Sequence, residues 1–276
     1  MQRRVQRYGW DLAAFDYERL WQAQLAPAQA DMLSRVALQA GERVVDVACG
    51  TGLVSFAAAE VVGARGRVIG VDISGAMVDA AQRRADALGV GHAAFARMDA
   101  EALDLADADF DVALCALGLM YVADPERALR ELRRVVRPRG RVALAVWGER
   151  SRCGWAAVFP IVDAEVKSDV CPMFFSPGAD DALAQLCRAA GLVDVELRRM
   201  ATTLAYDDGE QACDAAFVGG PVALAWSRFD PETRVRVRAK YIAAVASWRQ
   251  PDGRYLIPGE FVVAVAARPD TTAHAA

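Results

Sequence analysis

The chain has 276 residues, of which 54% are apolar, so it can bury a full hydrophobic core within the size range of one α/β domain. Its formal net charge of -4 gives no general attraction to a phosphate backbone, which disfavours nucleic acid as the main partner. The sequence shows neither a signal-like leader nor an apolar run of membrane-spanning length. We therefore expect a cytoplasmic protein with no membrane span.

The first predicted elements are helices. Residues 8–38 predict two amphipathic helical segments separated at Pro27, because proline interrupts the hydrogen bonds of a helix. Tyr17 and Trp21 are four residues apart and so share one helix face. They either pack this helix against the sheet or contact a ligand beside it.

The stretch RVVDVACGTG, at 43–52, predicts a buried parallel strand followed by a tight turn and a helix. Gly50 and Gly52 allow the backbone to approach a ligand closely, although a plain strand-to-helix connection is the alternative interpretation. Asp46 would repel a pyrophosphate but pair with an ammonium group, and Ser55 replaces the third glycine of a dinucleotide fingerprint. The pattern favours S-adenosylmethionine, which carries an ammonium group and no phosphate.

A second apolar strand, 68–71, ends at Asp72, and an amphipathic helix follows over 74–88. Asp72 lies about twenty residues beyond the glycine turn, the spacing at which a carboxylate can accept hydrogen bonds from both ribose hydroxyls. Ile73 and Met77 would cover the faces of an adenine ring, although Met77 could be ordinary core. We expect the Asp72 carboxylate to have no buried partner in the empty site, so that Asp72→Ala would barely change apo stability.

Five further strands are predicted after this helix, with helical segments between them. The pattern predicts strands ending at Asp99, over 110–115 and over 141–147, with a helix that begins at Pro125. Residues 192–204 and 261–268 read as two more strands. The region 207–247 between them is too long and too helical to be a hairpin loop.

Several of these motifs together resemble those of class I S-adenosylmethionine-dependent methyltransferases. Residues 43–52 resemble the first family motif, with Ala48 in place of its first glycine. The segment LGLMYVADP resembles the stretch after the fourth strand in the ubiquinone/menaquinone-biosynthesis group, also called methyltransferase type 11. The resemblance implies an α/β fold with a Rossmann-like seven-stranded sheet, order 3-2-1-4-5-7-6, its last strand antiparallel, and helical cap segments.

The resemblance also implies one methyltransferase domain over 1–276. Its parts would be N-terminal cap helices at 1–40, a cofactor-binding core at 41–148, and a C-terminal half at 149–268. Cap insertions that cover the methyl acceptor would lie at about 151–176 and 207–250. A mobile tail would follow at 269–276.

The cofactor implied by the resemblance is S-adenosyl-L-methionine. Asp99 would accept a hydrogen bond from the exocyclic amine of adenine and the Ala100 amide would meet the ring, while Tyr17 and Trp21 would contact the methionine end. The complete set of expected cofactor-binding residues is Tyr17, Trp21, Asp46, Ala48, Cys49, Gly50, Thr51, Gly52, Asp72, Ile73, Met77, Asp99, Ala100, Cys115 and Leu117.

The chemistry implied is methyl transfer to a small-molecule acceptor, a phenol, a thiol or an activated carbon, by proximity and orientation. His92 and His274 are poorly placed to act as a base. Tyr121, just past the fourth strand, is the candidate catalytic residue, although it could simply pack, and Asp207 and Glu165 are weaker candidates for a base. The aromatic side chains expected to bind the acceptor are Phe174, Phe175, Phe217 and Trp226. No His, Cys and acid cluster has metal-ligand spacing, so we expect no metal.

Other functions remain open at the level of sequence. A non-catalytic S-adenosylmethionine-binding protein would show the same motifs. A nucleotide-dependent dehydrogenase would share the strand-turn-helix start, but Asp46, Ser55 and the Asp99 motif count against it. Arsenite methylation would use cysteines such as Cys171 and Cys213, but the full cysteine set is missing.

Overall fold

A computed structural model describes residues 2–166, 171 and 173–270. Its helices are α1 Gln2–Ala13, α2 Tyr17–Val36, α3 Leu53–Val62, α4 Gly75–Leu88, α5 Pro125–Val135, α6 Val158–Val166, α7 Ala182–Ala189, α8 Gly209–Phe217, α9 Ala223–Arg228 and α10 Pro231–Ala244. Its strands are β1 Arg43–Val47, β2 Arg67–Asp72, β3 Ala93–Arg97, β4 Phe110–Ala116, β5 Val136–Trp147, β6 Val193–Tyr206 and β7 Tyr255–Ala267.

The strands form one seven-stranded sheet in the order β3-β2-β1-β4-β5-β7-β6, which confirms the predicted topology. Strands β1 to β5 are parallel, while β7 pairs antiparallel with both β5 and β6. Because parallel strands share a direction, the carboxyl ends of β1, β2 and β4 meet at one edge of the sheet. Whatever follows these strands is therefore brought together at that edge.

Both faces of the sheet are covered by apolar side chains. Val44 belongs to the cluster shared with α2 and α3, whereas its neighbour Val45 belongs to the cluster shared with α5 and α7. This alternation follows from the two-residue side-chain period of a strand. It explains why β1 is apolar along most of its length.

The N-terminal helices differ from the prediction. Helix α2 continues through Pro27, and the actual break between helices lies at residues 14–16. Leu25, Ala28 and Met32 are buried on both sides of the proline, so packing outweighs the hydrogen bond that proline cannot donate. Helix α1 also begins at Gln2, six residues earlier than expected.

The predicted cap segments are helical. Residues 151–176 contain α6, and 207–250 contain α8, α9 and α10, of which α10 packs against α6 and α8. Within the described residues, no helix is both long and apolar enough to cross a membrane. Of the tail expected to be mobile, Asp270 pairs with Arg139 at 2.5 Å, while 271–276 lie outside the described residues.

Candidate functional site

A cleft of about 980 Å³ lies over the carboxyl ends of the central strands. The strand ends form its floor, α1 and α2 cover one side, and side chains from β5 and the cap segments close the other. Its walls are more apolar than polar, and its polar groups come from the strand ends and from α1. This is the usual construction of a small-molecule site in an open α/β sheet.

The turn after β1 has the backbone shape that the sequence predicted. Ala48, Gly50 and Gly52 all have positive φ, at 59°, 55° and 87°. A Cβ at Gly52 would lie 2.8 Å from the Phe56 ring and would also have to adopt the positive φ, so glycine is favoured there. Ala48 adopts a left-handed conformation that costs about 1–2 kcal/mol for a residue with a side chain, a strain typical of functional turns.

Asp72, at the end of β2, holds this turn in place. One carboxylate oxygen accepts from the Gly50 amide and the other from the Ser74 amide, both at 2.9 Å. The side chain is buried and also lines the cleft. Burial raises its pKa, and the two amide hydrogen bonds act in the opposite direction. The expectation that this carboxylate has no buried partner is therefore wrong, because it joins the first and second strand ends.

Asp46 lies in a recess beside the cleft, together with Tyr17, Cys49 and Gln29. The Ser55 hydroxyl donates to one oxygen of its carboxylate at 2.5 Å, while the other oxygen is buried without a hydrogen-bond partner among the described residues. Burial raises the pKa of Asp46 to about 7. A buried acceptor without a donor is suited to a cationic group of a ligand.

The far end of the cleft contains an ion-pair network. Arg3 from α1 pairs with Asp99 at 3.0 Å and with Glu101 at 2.5 Å, and Asp99 also accepts from the Glu101 amide. Although burial raises the pKa of Glu101, hydrogen bonds from Arg3 and the Ala123 amide hold it below its usual value. The network fastens the start of α1 to the loop after β3.

The upper walls of the cleft are aromatic. Trp10 contacts the rings of Tyr17 and Tyr121 edge-on, at centroid distances of 5.8 and 5.0 Å. Trp155 packs against Trp21 and Trp147, at 5.7 and 4.9 Å. These rings form an apolar compartment next to the strand ends, in which a flat apolar molecule would be held away from water.

The region that forms the floor of this cleft is similar in sequence to known proteins. Residues 38–167 match the family described as "Methyltransferase domain". Residues 38–167, just under half of the chain, are thus similar to a methyltransferase domain. It is 35% identical over 133 residues to the ubiquinone/menaquinone biosynthesis C-methyltransferase UbiE of Pseudoalteromonas translucida, a match that covers 48% of this chain and 50% of that protein. The chain thus spans about half the length of that relative.

A second relative is matched over more of its length. The demethylmenaquinone methyltransferase of Geobacillus kaustophilus is 29% identical over 187 residues, covering 61% of this chain and 78% of that protein. Among solved structures, the YcgJ protein of Bacillus subtilis has a TM-score of 0.63 at 17% identity, covering 89% of this chain and 99% of that one. The cyclase SpnF has a TM-score of 0.58 at 22% identity, covering 91% and 83%. At these identities the structural matches show the shared fold alone.

The cleft brings together most of the residues expected at the cofactor. Those that line it are Tyr17, Trp21, Ala48, Gly50, Asp72, Ile73, Met77, Asp99, Ala100 and Leu117. Asp46 and Cys49 line the adjoining recess instead. Thr51, Gly52 and Cys115 line neither; Thr51 and Cys115 are buried behind the turn and in β4.

The four aromatic residues expected to bind the acceptor do not line the cleft. Phe174 packs behind Tyr121 at 5.3 Å and touches Phe175 at 4.7 Å, while Phe217 is fully buried and stacks on Trp226 at 5.1 Å. The prediction of direct contact is corrected here, because Phe174 and Phe217 are buried in the core while Phe175 and Trp226 are partly buried and pack against it. Trp10, Trp147 and Trp155 occupy the wall positions instead.

Sequence reasoning also missed the contribution of α1. Arg3, Gln6 and Trp10 all line the cleft, although the sequence predicted no ligand contact for these three residues. The spacing of Gln6, Trp10 and Ala13 placed these residues on one helix face and could have indicated the wall. Trp147 was marked by its position at the carboxyl end of a parallel strand.

Tyr121, the candidate catalytic residue, does line the cleft, beside Trp10. Burial raises its pKa well above the usual phenol value, so the side chain is neutral at physiological pH. A neutral phenol does not accept a proton, although it can orient an acceptor by hydrogen bonding. Among the described residues, no group of three His, Cys, Asp or Glu side chains could hold a metal ion.

Proposed function

We propose that the protein transfers a methyl group from S-adenosylmethionine to a small-molecule acceptor. The proposal rests on one cleft, in which Asp72 and the glycine turn lie next to an aromatic compartment. Asp72 is the acid at the position expected to bind a ribose. The unpartnered oxygen of Asp46 supports the proposal, because the ammonium group of the cofactor would supply the missing donor. The match of residues 38–167 to the methyltransferase family agrees with this assignment.

In this proposal Asp72 holds the ribose, Ile73 and Met77 cover the adenine, and Asp46 pairs with the ammonium group of the methionine end. S-adenosylmethionine supplies a methyl group on a sulfonium that is already activated for displacement. The chain therefore has to hold the acceptor in line and exclude water, and Trp10 and Trp155 form walls suited to both tasks. Tyr121 orients the acceptor and does not remove its proton.

The acceptor class follows from the same walls. A phenol, a thiol or an activated ring carbon needs little help from a base, and the compartment offers aromatic surface but no histidine. We place a quinol-type aromatic ring first among these acceptors, because both curated relatives are named for quinone biosynthesis and the wall rings suit a flat apolar molecule. The net charge of -4 supports a small-molecule acceptor over nucleic acid.

We also propose that the chain acts as one domain, since α1, α2 and the cap segments complete the cleft that the central strands begin. The second candidate function is binding of S-adenosylmethionine without methyl transfer. The fold shared with the cyclase SpnF favours keeping it, because that likeness shows that the fold alone does not specify methyl transfer. A nucleotide-dependent dehydrogenase is third, disfavoured by the acid and Ser55 beside the turn.

Calorimetry with S-adenosylmethionine, S-adenosylhomocysteine and NAD tests cofactor choice. We expect the first two to bind and NAD to give no heat. Methyl transfer from labelled cofactor is then measured with a water-soluble quinol, a phenol and a thiol. Binding without transfer to any of the three supports the second candidate, and tight binding of NAD alone would overturn both.

A further inference from the structure

The outward face of α1 carries an apolar stripe. Val5, Tyr8 and Leu12 follow one another at helical spacing, and Phe15 continues the line in the turn that follows. Their side chains are 41, 44, 50 and 93% exposed. The face opposite, with Gln6 and Trp10, lines the cleft, so this stripe is the outer surface of the same helix.

Neighbouring helices fix the orientation of this stripe. Helix α1 packs against α4 on one side and α9 on the other. Asp11 accepts from the Ser74 hydroxyl at 2.6 Å and the Ala76 amide at 3.3 Å, which ties α1 to the start of α4. Gly9 lies close to Leu224 of α9. The apolar side chains therefore cannot turn inward, and within the described chain nothing covers them.

Arginines border the stripe on its α4 side. Arg3, Arg4, Arg7 and Arg97 line one shallow depression beside the start of α1. Arg3 is paired with acids, but Arg4, Arg7 and Arg97 form no ion pair among the described residues, and the Arg7 guanidinium lies over the Tyr8 ring at 4.6 Å. The surface is locally basic although the whole chain has a net charge of -4.

The acids near this surface do not neutralise it. Asp99 is paired with Arg3, and Asp11 accepts hydrogen bonds from α4. Asp16 is paired with Arg19, and Glu18 with Arg84. Asp11 keeps its negative charge while it accepts the bonds from α4, but the three unpaired arginines outnumber it and leave the surface with an excess of positive charge.

We propose that this face, Val5, Tyr8, Leu12 and Phe15 with Arg4, Arg7 and Arg97, docks on the surface of an anionic lipid bilayer. A helix with apolar side chains on its outer face and arginines on its flank lies in the interface, with its rings among the acyl chains and its cations at the phosphates. A second copy of the chain fits less well, because a twofold contact through the stripe would bring like-charged arginines together. The proposal does not rest on methyl transfer.

Vesicle flotation of the full chain tests the proposal. We expect binding to vesicles of phosphatidylcholine mixed with phosphatidylglycerol, and little binding to phosphatidylcholine alone or in high salt. Two double variants, Leu12→Glu with Phe15→Glu and Arg4→Gln with Arg7→Gln, should each lower partitioning by about tenfold or more. The matched control is Leu88→Glu with Val235→Glu, which alters apolar residues that are 60 and 70% exposed on α4 and α10.

Several outcomes would overturn the proposal. These are equal partitioning of the stripe variant and the control, equal binding to charged and uncharged vesicles, or a concentration-dependent dimer that Leu12→Glu abolishes in a chain that ignores vesicles. Circular dichroism and S-adenosylmethionine calorimetry on every variant verify that the fold is retained. Loss of cofactor binding in all chains, with vesicle binding intact, would contradict the proposed function and leave the docking face standing.

Discussion

Replacing Asp72 should affect both the empty protein and the bound one. Its carboxylate accepts from the buried amides of Gly50 and Ser74 at 2.9 Å, and Asp72→Ala leaves both donors without their partner. Asp72→Asn keeps one side-chain oxygen, so it retains one of the two bonds. The two variants separate the role of the carboxylate in the turn from its role at the ribose.

The expected loss of stability in Asp72→Ala follows from the two amide donors that are left without an acceptor. Each buried unsatisfied donor costs about 1–3 kcal/mol, and removal of a buried charge offsets part of the sum. We expect Asp72→Ala to lower the free energy of unfolding by about 2 kcal/mol, which corresponds to a fall in Tm of about 3–4 °C for a chain of this size. Loss of two charge-assisted bonds to the ribose should weaken cofactor binding at least about tenfold.

Scanning fluorimetry of the apo protein and calorimetry with S-adenosylmethionine and S-adenosylhomocysteine measure the two effects. Asp79→Ala, on the exposed face of helix α4 that follows Asp72, is the matched control and should change neither. An unchanged apo Tm in Asp72→Ala would refute the role of this carboxylate in the turn. Unchanged affinity for both ligands would refute the cofactor position from Asp46 to Asp99.

Three further predictions concern charge, packing and metal. Burial raises the pKa of Asp46 from 3.8 to about 7, so ionisation of this residue in the unfolded chain lowers the stability of the wild type as pH rises between those values. The Asn side chain does not ionise, so the apo Tm of Asp46→Asn should rise relative to wild type over the same pH interval. A difference in Tm that stays constant with pH would contradict the raised pKa. Phe217→Ala should lower the free energy of unfolding by about 3–5 kcal/mol because it leaves a cavity in the core, as thermal melting would show. Trp10→Ala should mainly weaken binding of the acceptor, as saturation kinetics would show. The reverse pattern would contradict the placement of Phe217 in the core and of Trp10 in the cleft wall. Any methyl transfer should persist in EDTA, since the described residues hold no metal-ligand cluster, and a loss reversed by metal would count against this.

The central sheet could be predicted because local pattern and topology agree there. Val44, Val45 and Val47, followed by the glycine turn, predict a buried parallel strand. The second apolar run predicts in the same way that Asp72 lies at a strand end. Helix α2 could not be predicted across Pro27, because the packing that compensates for the missing hydrogen bond comes from distant residues. Sequence signals of helix interruption carry no information about that packing.

The walls of the cleft were harder to predict than its floor. Floor residues such as Gly50 and Asp99 follow strands directly, so their place is given by topology. Wall residues depend on how the caps fold over the sheet, and an aromatic side chain such as Phe217 looks the same in sequence whether it faces a ligand or a core. The hydrogen bonds of Asp72 were likewise invisible, because they join amides in two separate loops.

Helix α2 also sets the order in which the molecule can be completed. The Trp21 indole donates to the carbonyl of Ala215 at 3.1 Å, and the Gln24 side chain hydrogen-bonds the backbone of Ala205. Helix α2 is synthesised early, but its hydrogen-bond partners lie nearly two hundred residues later in the chain. One edge of β5 likewise stays unpaired until β7 has been synthesised. A chain released before β7 is made would contain the turn after β1 without the complete cleft, and its unpaired β5 edge would make the fragment prone to aggregation.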